Sequence, residues 1–302
     1  MDPALPSPAA PLEPPPGENP FVLTVACPDR KGIVHAVSGA LLGAGADIAE
    51  SQQYGSPDSG DFFLRVQFTT PEARSAVEAA LAPVRAEFGM RAQLWDAGRR
   101  MRTLVMCSKD GHTLNDLLFQ QRAGSLPIEV PVVVSNHLDL QPLAAFYGVP
   151  FVHVPISTDP ASRGTKAAAE ARLRELIREH AIDLVVLARY MQILSDELCG
   201  DLEGMAINIH HSFLPSFKGA RPYHQAHERG VKIIGATAHY VTADLDEGPI
   251  IAQSVQPVTH AQTAEDFVER GRDVEGSTLV QAVRWHAEHR VLVDGRRTVV
   301  FA

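Results

Sequence analysis

Apolar and polar positions change their period several times along this chain. Residues 21–27, FVLTVAC, form a short run rich in β-branched and apolar side chains that stops at Pro28-Asp29, and this reads as a strand. Val34, Val37, Leu41 and Leu42 then recur at helical spacing, predicting a helix from Ile33 to Leu42 that Gly43 and Gly45 end. Asp47 to Tyr54 reads as a second strand, followed by the turn residues Gly55-Ser56-Pro57-Asp58. Residues 62–68, FFLRVQF, alternate as a half-buried strand does. Pro71 suits the first turn of a helix over 72–88, and Met90 to Trp95 reads as a closing strand.

The order β-α-β-β-α-β over residues 20–98 predicts a ferredoxin-like unit. Its length and the turn PDRKGIV at 28–34 resemble an ACT domain, a small module that usually binds amino acids at subunit interfaces. The resemblance implies an amino-acid effector near Asp29, Lys31, Gly32 and Ile33, with Asp47 where many ACT domains carry a polar residue facing the ligand. It also implies a homo-oligomer, dimer or tetramer. An ordinary strand-to-helix turn is the competing reading of the same residues.

Gly98-Arg99-Arg100 marks a boundary, and beyond it strands and helices alternate. TLVMC (103–107), VPVVV (130–134), PFVHVPI (150–156), DLVVLA (183–188) and AINIH (206–210) are short and strongly apolar, as buried parallel strands are. Between Lys166 and His180, Ala169, Leu173, Leu176 and Ile177 form one stripe against Glu170, Arg174 and Arg178. KIIGATAHYV (232–241) and PIIAQSV (249–255) are later strands, a long helix covers 263–290, and a hairpin is expected at Asp294-Gly295. The fold class is therefore α/β: the small unit, then a doubly wound, mostly parallel sheet over 101–302.

Composition narrows the function. Apolar residues make up 45% and charged residues 21% of the 302, ordinary globular values that allow a sizeable core. A net charge of -9 argues against nucleic acid as the main partner. Cys27, Cys107 and Cys199 are widely spaced, which fits free thiols in a reducing, cytoplasmic setting. Prolines at 3, 6, 8, 11, 14, 15 and 16 predict an extended, disordered tail over residues 1–19, with neither the basic start nor the apolar run of a signal peptide. No apolar stretch is long enough to predict a membrane span.

The densest polar chemistry lies between 207 and 248. Ligands gather at the carboxyl ends of parallel strands, and Asn208 and His210 sit at such an end. Positions i and i+2 of a strand share a face, so the two can enter one cavity, with His211 expected to point away. Asp246 lies in the turn DLDEGP. An imidazole that moves protons near neutral pH, an amide that donates to an oxyanion and a carboxylate that holds the imidazole or a water suit acyl transfer. Polar residues at a strand end also serve merely to satisfy backbone groups. His224 and His227, at i and i+3, suggest a metal only weakly, because no cysteine partner or H-E-x-x-H pattern accompanies them. Ser212 lacks the G-x-S-x-G setting of a serine hydrolase. No metal is expected.

NIHHSFLPSF…GATAHYV…LDEGPII resembles the folate-dependent formyltransferase family, and within it the branch that hydrolyses 10-formyltetrahydrofolate. The family pattern is N-x-H followed by an aspartate in a D-x-G-P-I/V turn, met here by Asn208, His210, Asp246, Gly248, Pro249 and Ile250. The resemblance covers about 101–302, and the preceding ACT-like unit belongs to the hydrolytic branch. It implies release of formate and tetrahydrofolate with no permanently bound cofactor, the folate itself being the substrate, and formate that can feed purine synthesis. It places the pterin near Met191, Gln192, Ile193 and Leu194, with the 242–246 loop, including Leu245, and Gly248 closing the other side. Lys218 and Arg221 are candidates for the anionic folate tail, or simply solvated charges.

Two departures from the transferases bear on the acceptor. SKDGHTLNDL at 108–117 replaces their glycine- and serine-rich phosphate loop, keeping only Gly111 and adding Asp110. His211 stands where they often have proline. Both favour water over a ribonucleotide. A formyltransferase acting on an amine, and an inert amino-acid or folate sensor, are the alternatives.

Overall fold

The computed structural model describes residues 14–157, 164–212, 214 and 222–302. The chain divides into two compact units, one of residues 1–99 with 288–302, the other of residues 100–287.

In the first unit, β1 (Asn19–Pro28), α1 (Ile33–Gly43), β2 (Asp47–Gly55), β3 (Asp61–Thr70), α2 (Arg74–Phe88) and β4 (Arg91–Asp96) follow the expected order. The strands form an antiparallel sheet ordered β2-β3-β1-β4. Leu23, Val25, Leu64, Val66 and Phe68 pack against Val37, Leu41, Val77 and Leu81 of the helices. α2 begins three residues after Pro71, with Ala73 in extended backbone as its cap, so the proline precedes the helix. The expected tail over 1–19 ends earlier: Asn19 already belongs to β1, and Glu18 accepts a hydrogen bond from Thr69 Oγ1. Residues 1–13 lie outside the described residues.

In the second unit, β5 (Met101–Cys107), α3 (His112–Arg122), β6 (Ile128–Ser135), α4 (Gln141–Tyr147), β7 (Phe151–His153), α5 (Lys166–Glu179), β8 (Leu184–Leu187), α6 (Asp196–Asp201) and β9 (Ala206–His210) alternate. α7 (Pro222–Glu228), β10 (Ile233–Tyr240), β11 (Ile250–Pro257) and α8 (Ala264–Ala287) complete it. The sheet order is β11-β10-β9-β8-β5-β6-β7. Strands β5 to β9 run parallel, while β10 and β11 are antiparallel additions at one edge. Chain order reverses between β5 and β8, which opens a crevice at their carboxyl ends. Only 151–153 of the expected 150–156 strand pair, because β7 is an edge strand with one neighbour. Glu170, expected on the polar face of α5, is buried, and its carboxylate accepts from the backbone N–H and the hydroxyl of Ser195.

The last segment forms β12 (Val291–Asp294) and β13 (Arg297–Val300), the expected hairpin, with Gly295 at φ 61. The sequence reading attached it to the large unit, yet it packs with the first. Arg65, 1% exposed on β3, donates to the Glu288 carbonyl at 3.0 Å and to Glu50 at 2.5 Å. Arg290 donates to Glu50 at 3.2 Å and to the Phe301 carbonyl at 2.9 Å. Asp294 accepts from Ser56 at 2.9 Å. A buried guanidinium must be paired, and a residue 223 positions away supplies part of that pairing for Arg65, which spacing along the chain does not reveal.

Candidate active site

β9 carries Ile207 and Ile209 into the core and leaves Asn208 and His210 partly open on the other face. β10 runs antiparallel beside it, with His239 directly opposite Asn208 and Thr237 opposite His210. The same alternation therefore brings His239 onto the face of the two predicted residues. Thr237 Oγ1 donates to the Ser212 carbonyl at 2.9 Å and accepts from the Leu214 N–H at 3.1 Å, which pins the chain as it leaves β9.

After β10 the chain folds back through residues 242–248. Tyr240 N–H donates to the Pro249 carbonyl at 2.9 Å, and Thr242 donates to the Asp244 carbonyl at 3.0 Å. A Cβ on Gly248 would fall 1.8 Å from the Tyr240 carbonyl oxygen, so only glycine permits this approach. Gly248, expected to touch substrate, also lets the loop come this close to β10. Asp246 sits in the left-handed region at φ 58, a conformation that a non-glycine residue holds at some cost.

The result is a connected polar set. His210 Nδ1 lies 3.2 Å from Asp246 Oδ2, and His239 Nε2 lies 3.6 Å from Asp246 Oδ1. His239 Nδ1 donates to the Tyr240 carbonyl at 2.9 Å, so a neutral His239 presents an acceptor at Nε2, where Asn208 Nδ2 donates at 3.2 Å. Burial pushes the Asp246 carboxyl up, but the hydrogen bond from His210 leads the effects that outweigh it and hold the group well below the usual carboxylate range. An ionised Asp246 accepts from His210 Nδ1–H, which leaves His210 Nε2 as a lone pair. That atom is buried and has no hydrogen-bond partner among the described residues.

His211 does not point away. It follows the last residue of β9, where strand alternation no longer applies, and its ring stacks on His210 with centroids 4.7 Å apart at 23°. Its Nδ1 lies 2.9 Å from Arg189 Nη1. Burial first, then the Arg189 and His210 charges, push its imidazole down to about 4. Arg189, at φ 61, reaches Asp110 at 3.4 Å and lies 3.5 Å from Glu275, which is 1% exposed. Glu275 also accepts from Tyr223 at 2.6 Å and contacts His112 Nε2 at 2.9 Å. Burial pushes the Glu275 carboxyl up, but these partners hold it below its ordinary value.

Beside this set, Met191, Ile193 and Leu245 are 59%, 63% and 61% exposed, large apolar side chains left to solvent in the two segments expected to hold the pterin. The Met191 N–H already donates to Ser108 Oγ at 3.1 Å, so that backbone donor is not free for a ligand. Gln192, Ile193 and Leu194 line a cavity of about 10 Å³ with Glu170 and Tyr190. Gly111 is explained by packing, since a Cβ there would lie 2.8 Å from Leu140.

The effector residues of the first unit do not converge within one chain. Asp29 donates its N–H to the Gly60 carbonyl at 2.8 Å and its carboxylate lies over Gly55, at one end of β2. Asp47 is at the other end, eight residues or about 26 Å away. Ile33 is a core residue, 2% exposed, while Lys31 and Gly32 are exposed. His227, a weak metal candidate with His224, instead meets the Gln262 carbonyl at 3.1 Å and packs edge-on to Phe267. Among the described residues no three His, Cys, Asp or Glu side chains gather as a metal group, and no helix is long and apolar enough to cross a membrane. Pro215, Lys218 and Arg221 lie outside the described residues.

A strand-end amide and imidazole facing a loop carboxylate, on a sheet of this topology, are groups that can carry out acyl transfer. Residues 101–283 match the family model described as formyl transferase. A curated protein from Corynebacterium sp. (strain P-1), named formyltetrahydrofolate deformylase, is 53% identical over 92% of this chain and 97% of its own length. The crystal structure of a formyltetrahydrofolate deformylase from Burkholderia mallei superposes with a TM-score of 0.88 at 46% identity, covering 94% of this chain and all of that one. Glycinamide ribonucleotide transformylase 1 from Symbiobacterium toebii superposes with a TM-score of 0.62 at 35% identity, covering 70% of this chain and 98% of its own. The chain belongs to the formyltetrahydrofolate deformylase family.

Proposed function

We propose that this chain hydrolyses 10-formyltetrahydrofolate to formate and tetrahydrofolate with Asn208, His210 and Asp246. The observation that carries the assignment of roles is the orientation of His210: Nδ1 is tied to an ionised carboxylate, and the buried Nε2 is left as an unpartnered base. His210 Nε2 takes a proton from water as the oxygen attacks the formyl carbon. Asp246 holds the ring and stabilises the imidazolium, as an aspartate does in a serine-protease triad. Asn208 spends one amide proton on His239 and keeps the other for the developing oxyanion. Collapse breaks the bond from carbon to N10, His210 returns its proton to N10, and formate and tetrahydrofolate leave. The exposed Met191, Ile193 and Leu245 side chains suit the faces of a flat pterin.

Transfer to an amine is the second reading. Asp110 on the turn after β5, paired with Arg189, opposes a phosphate there and disfavours a ribonucleotide acceptor. Formate release from 10-formyltetrahydrofolate in amine-free buffer, abolished by His210→Ala, is the expected result. Transfer to glycinamide ribonucleotide with no formate in its absence overturns the hydrolytic reading.

The reaction needs no resident cofactor, and three buried free cysteines suit a reducing cytoplasm. The exposed turn at Asp29, Lys31 and Gly32 supports an amino-acid effector, and the ACT-like order of elements in the first unit supports a dimer or tetramer. Calorimetry against the amino acids and light scattering at micromolar concentration test these; no heat, and a monomer, would overturn them.

A further inference from the structure

His211 and the groups that fix it take no part in the steps above. A guanidinium only donates, so the 2.9 Å contact from Arg189 makes His211 Nδ1 an acceptor and puts the ring's single proton on Nε2. Arg189 is itself held by Asp110 and lies against Glu275, which Tyr223 and His112 hold in turn. This framework sets one tautomer on one ring. That ring stacks on His210, whose Nε2 is the unpartnered base.

We propose that His211 is a further catalytic residue and the one that selects water: its Nε2–H holds the attacking water against Nε2 of His210. The rings stack with centroids 4.7 Å apart, close enough for one oxygen making two hydrogen bonds of about 2.8 Å to reach a nitrogen on each. The water donates one proton to His210, accepts from His211 with one lone pair, and attacks the formyl carbon with the other. Its O–H bond breaks, the C–O bond forms, and the proton resides on His210. An amine has a single lone pair. It cannot accept from His211 and attack carbon at once, so a fixed donor here favours water over an amine. Arg189 touches no reacting atom and acts as a positioning residue for His211.

The proposal rests on hydrolysis at His210, and the test separates the two. Wild type, His211→Phe and His211→Gln are given 10-formyltetrahydrofolate with and without glycinamide, a simple amine, and formate and N-formylglycinamide are measured. Loss of one positioned donor predicts formate release down about 100-fold in His211→Phe with KM for the folate little changed. The ratio of N-formylglycinamide to formate should rise at least about 10-fold over wild type, since the barrier to the amine is removed while that to water grows. His211→Gln, whose amide offers Arg189 an acceptor and water a donor, should retain most formate release. Formate release by His211→Phe close to wild type, or loss of both products in unchanged ratio, overturns the proposal; no formate from wild type overturns the hydrolytic reading itself. If His211→Phe does not fold, His211→Leu is read the same way.

Discussion

Asp246 accepts from His210 across 3.2 Å while its own backbone is held at φ 58. The loop therefore presents a charged acceptor to one specific nitrogen. Asp246→Asn keeps the shape but offers an amide that donates as readily as it accepts, so His210 loses the preference for a proton on Nδ1. By analogy with an aspartate-to-asparagine change in a serine-protease triad, kcat should fall on the order of 10⁴-fold. Steady-state formate release checks it, and a rise in KM of similar size with kcat intact contradicts the assignment.

Asn208→Ala removes the remaining oxyanion donor and leaves His239 Nε2 without its hydrogen bond. One such donor is worth about 10² to 10³ in kcat, and folate binding should change far less. Single-turnover chemistry measured beside equilibrium folate binding separates these effects.

Gly248→Ala tests the loop rather than the chemistry. Its new methyl meets the Tyr240 carbonyl, which the sheet holds in place, and the carbonyl cannot move aside as a flexible side chain does. The 242–248 loop must shift and carry Asp246 with it. Catalysis tolerates a displacement of about 1 Å poorly, so a loss of about 100-fold in kcat with secondary structure unchanged by circular dichroism is expected.

Acidification should weaken the second unit. His211 and His286 are both held down to about 4 in the folded chain, against 6.5 ordinarily, chiefly by burial. From about 6.5 down to about 4 the unfolded chain binds protons that the folded chain refuses, so stability falls as pH falls. At pH 5 the loss is at most about 2 kcal/mol for each group. Asp246 adds to this lower down, where acid reaches its depressed folded value and its stabilising ion pairing is lost. Urea midpoints at pH 7 and pH 5 measure the drop, which should be smaller for His286→Phe.

A chain ending at Ala287 should lose the first unit selectively. Arg65 then gives up the Glu288 carbonyl, and Glu50 gives up Arg290. Breaking buried charge pairing costs about 3–5 kcal/mol, a large share of a small domain's stability. Limited proteolysis should cut rapidly within residues 20–98 of the truncated chain and spare the intact one.

Much of this molecule was legible along the chain. Short, strongly apolar runs from 103 to 210 read as buried parallel strands, and period-2 spacing put Asn208 and His210 on one face. The GATAHYV run also held His239, but its place opposite Asn208 depends on antiparallel register, which spacing within one strand does not specify. His211 was misplaced for a related reason: alternation holds only while the backbone is extended, and β9 ends one residue earlier.

The sequence by itself determined the α/β class, most of the strands, the longer helices and the three candidate residues Asn208, His210 and Asp246, because these follow from local periodicity and from the family motif. The tertiary structure alone decided what lies between distant segments. The hairpin at 288–302 joined the first unit through Arg65 and Arg290, and Asp29 and Asp47 fell at opposite ends of one strand. Arg189, Glu275, Tyr223 and His112 became a single framework that fixes the proton on His211. Each outcome rests on pairing of buried charge between residues far apart in the chain or on the separation of two ends of a strand, and a linear pattern carries neither distance.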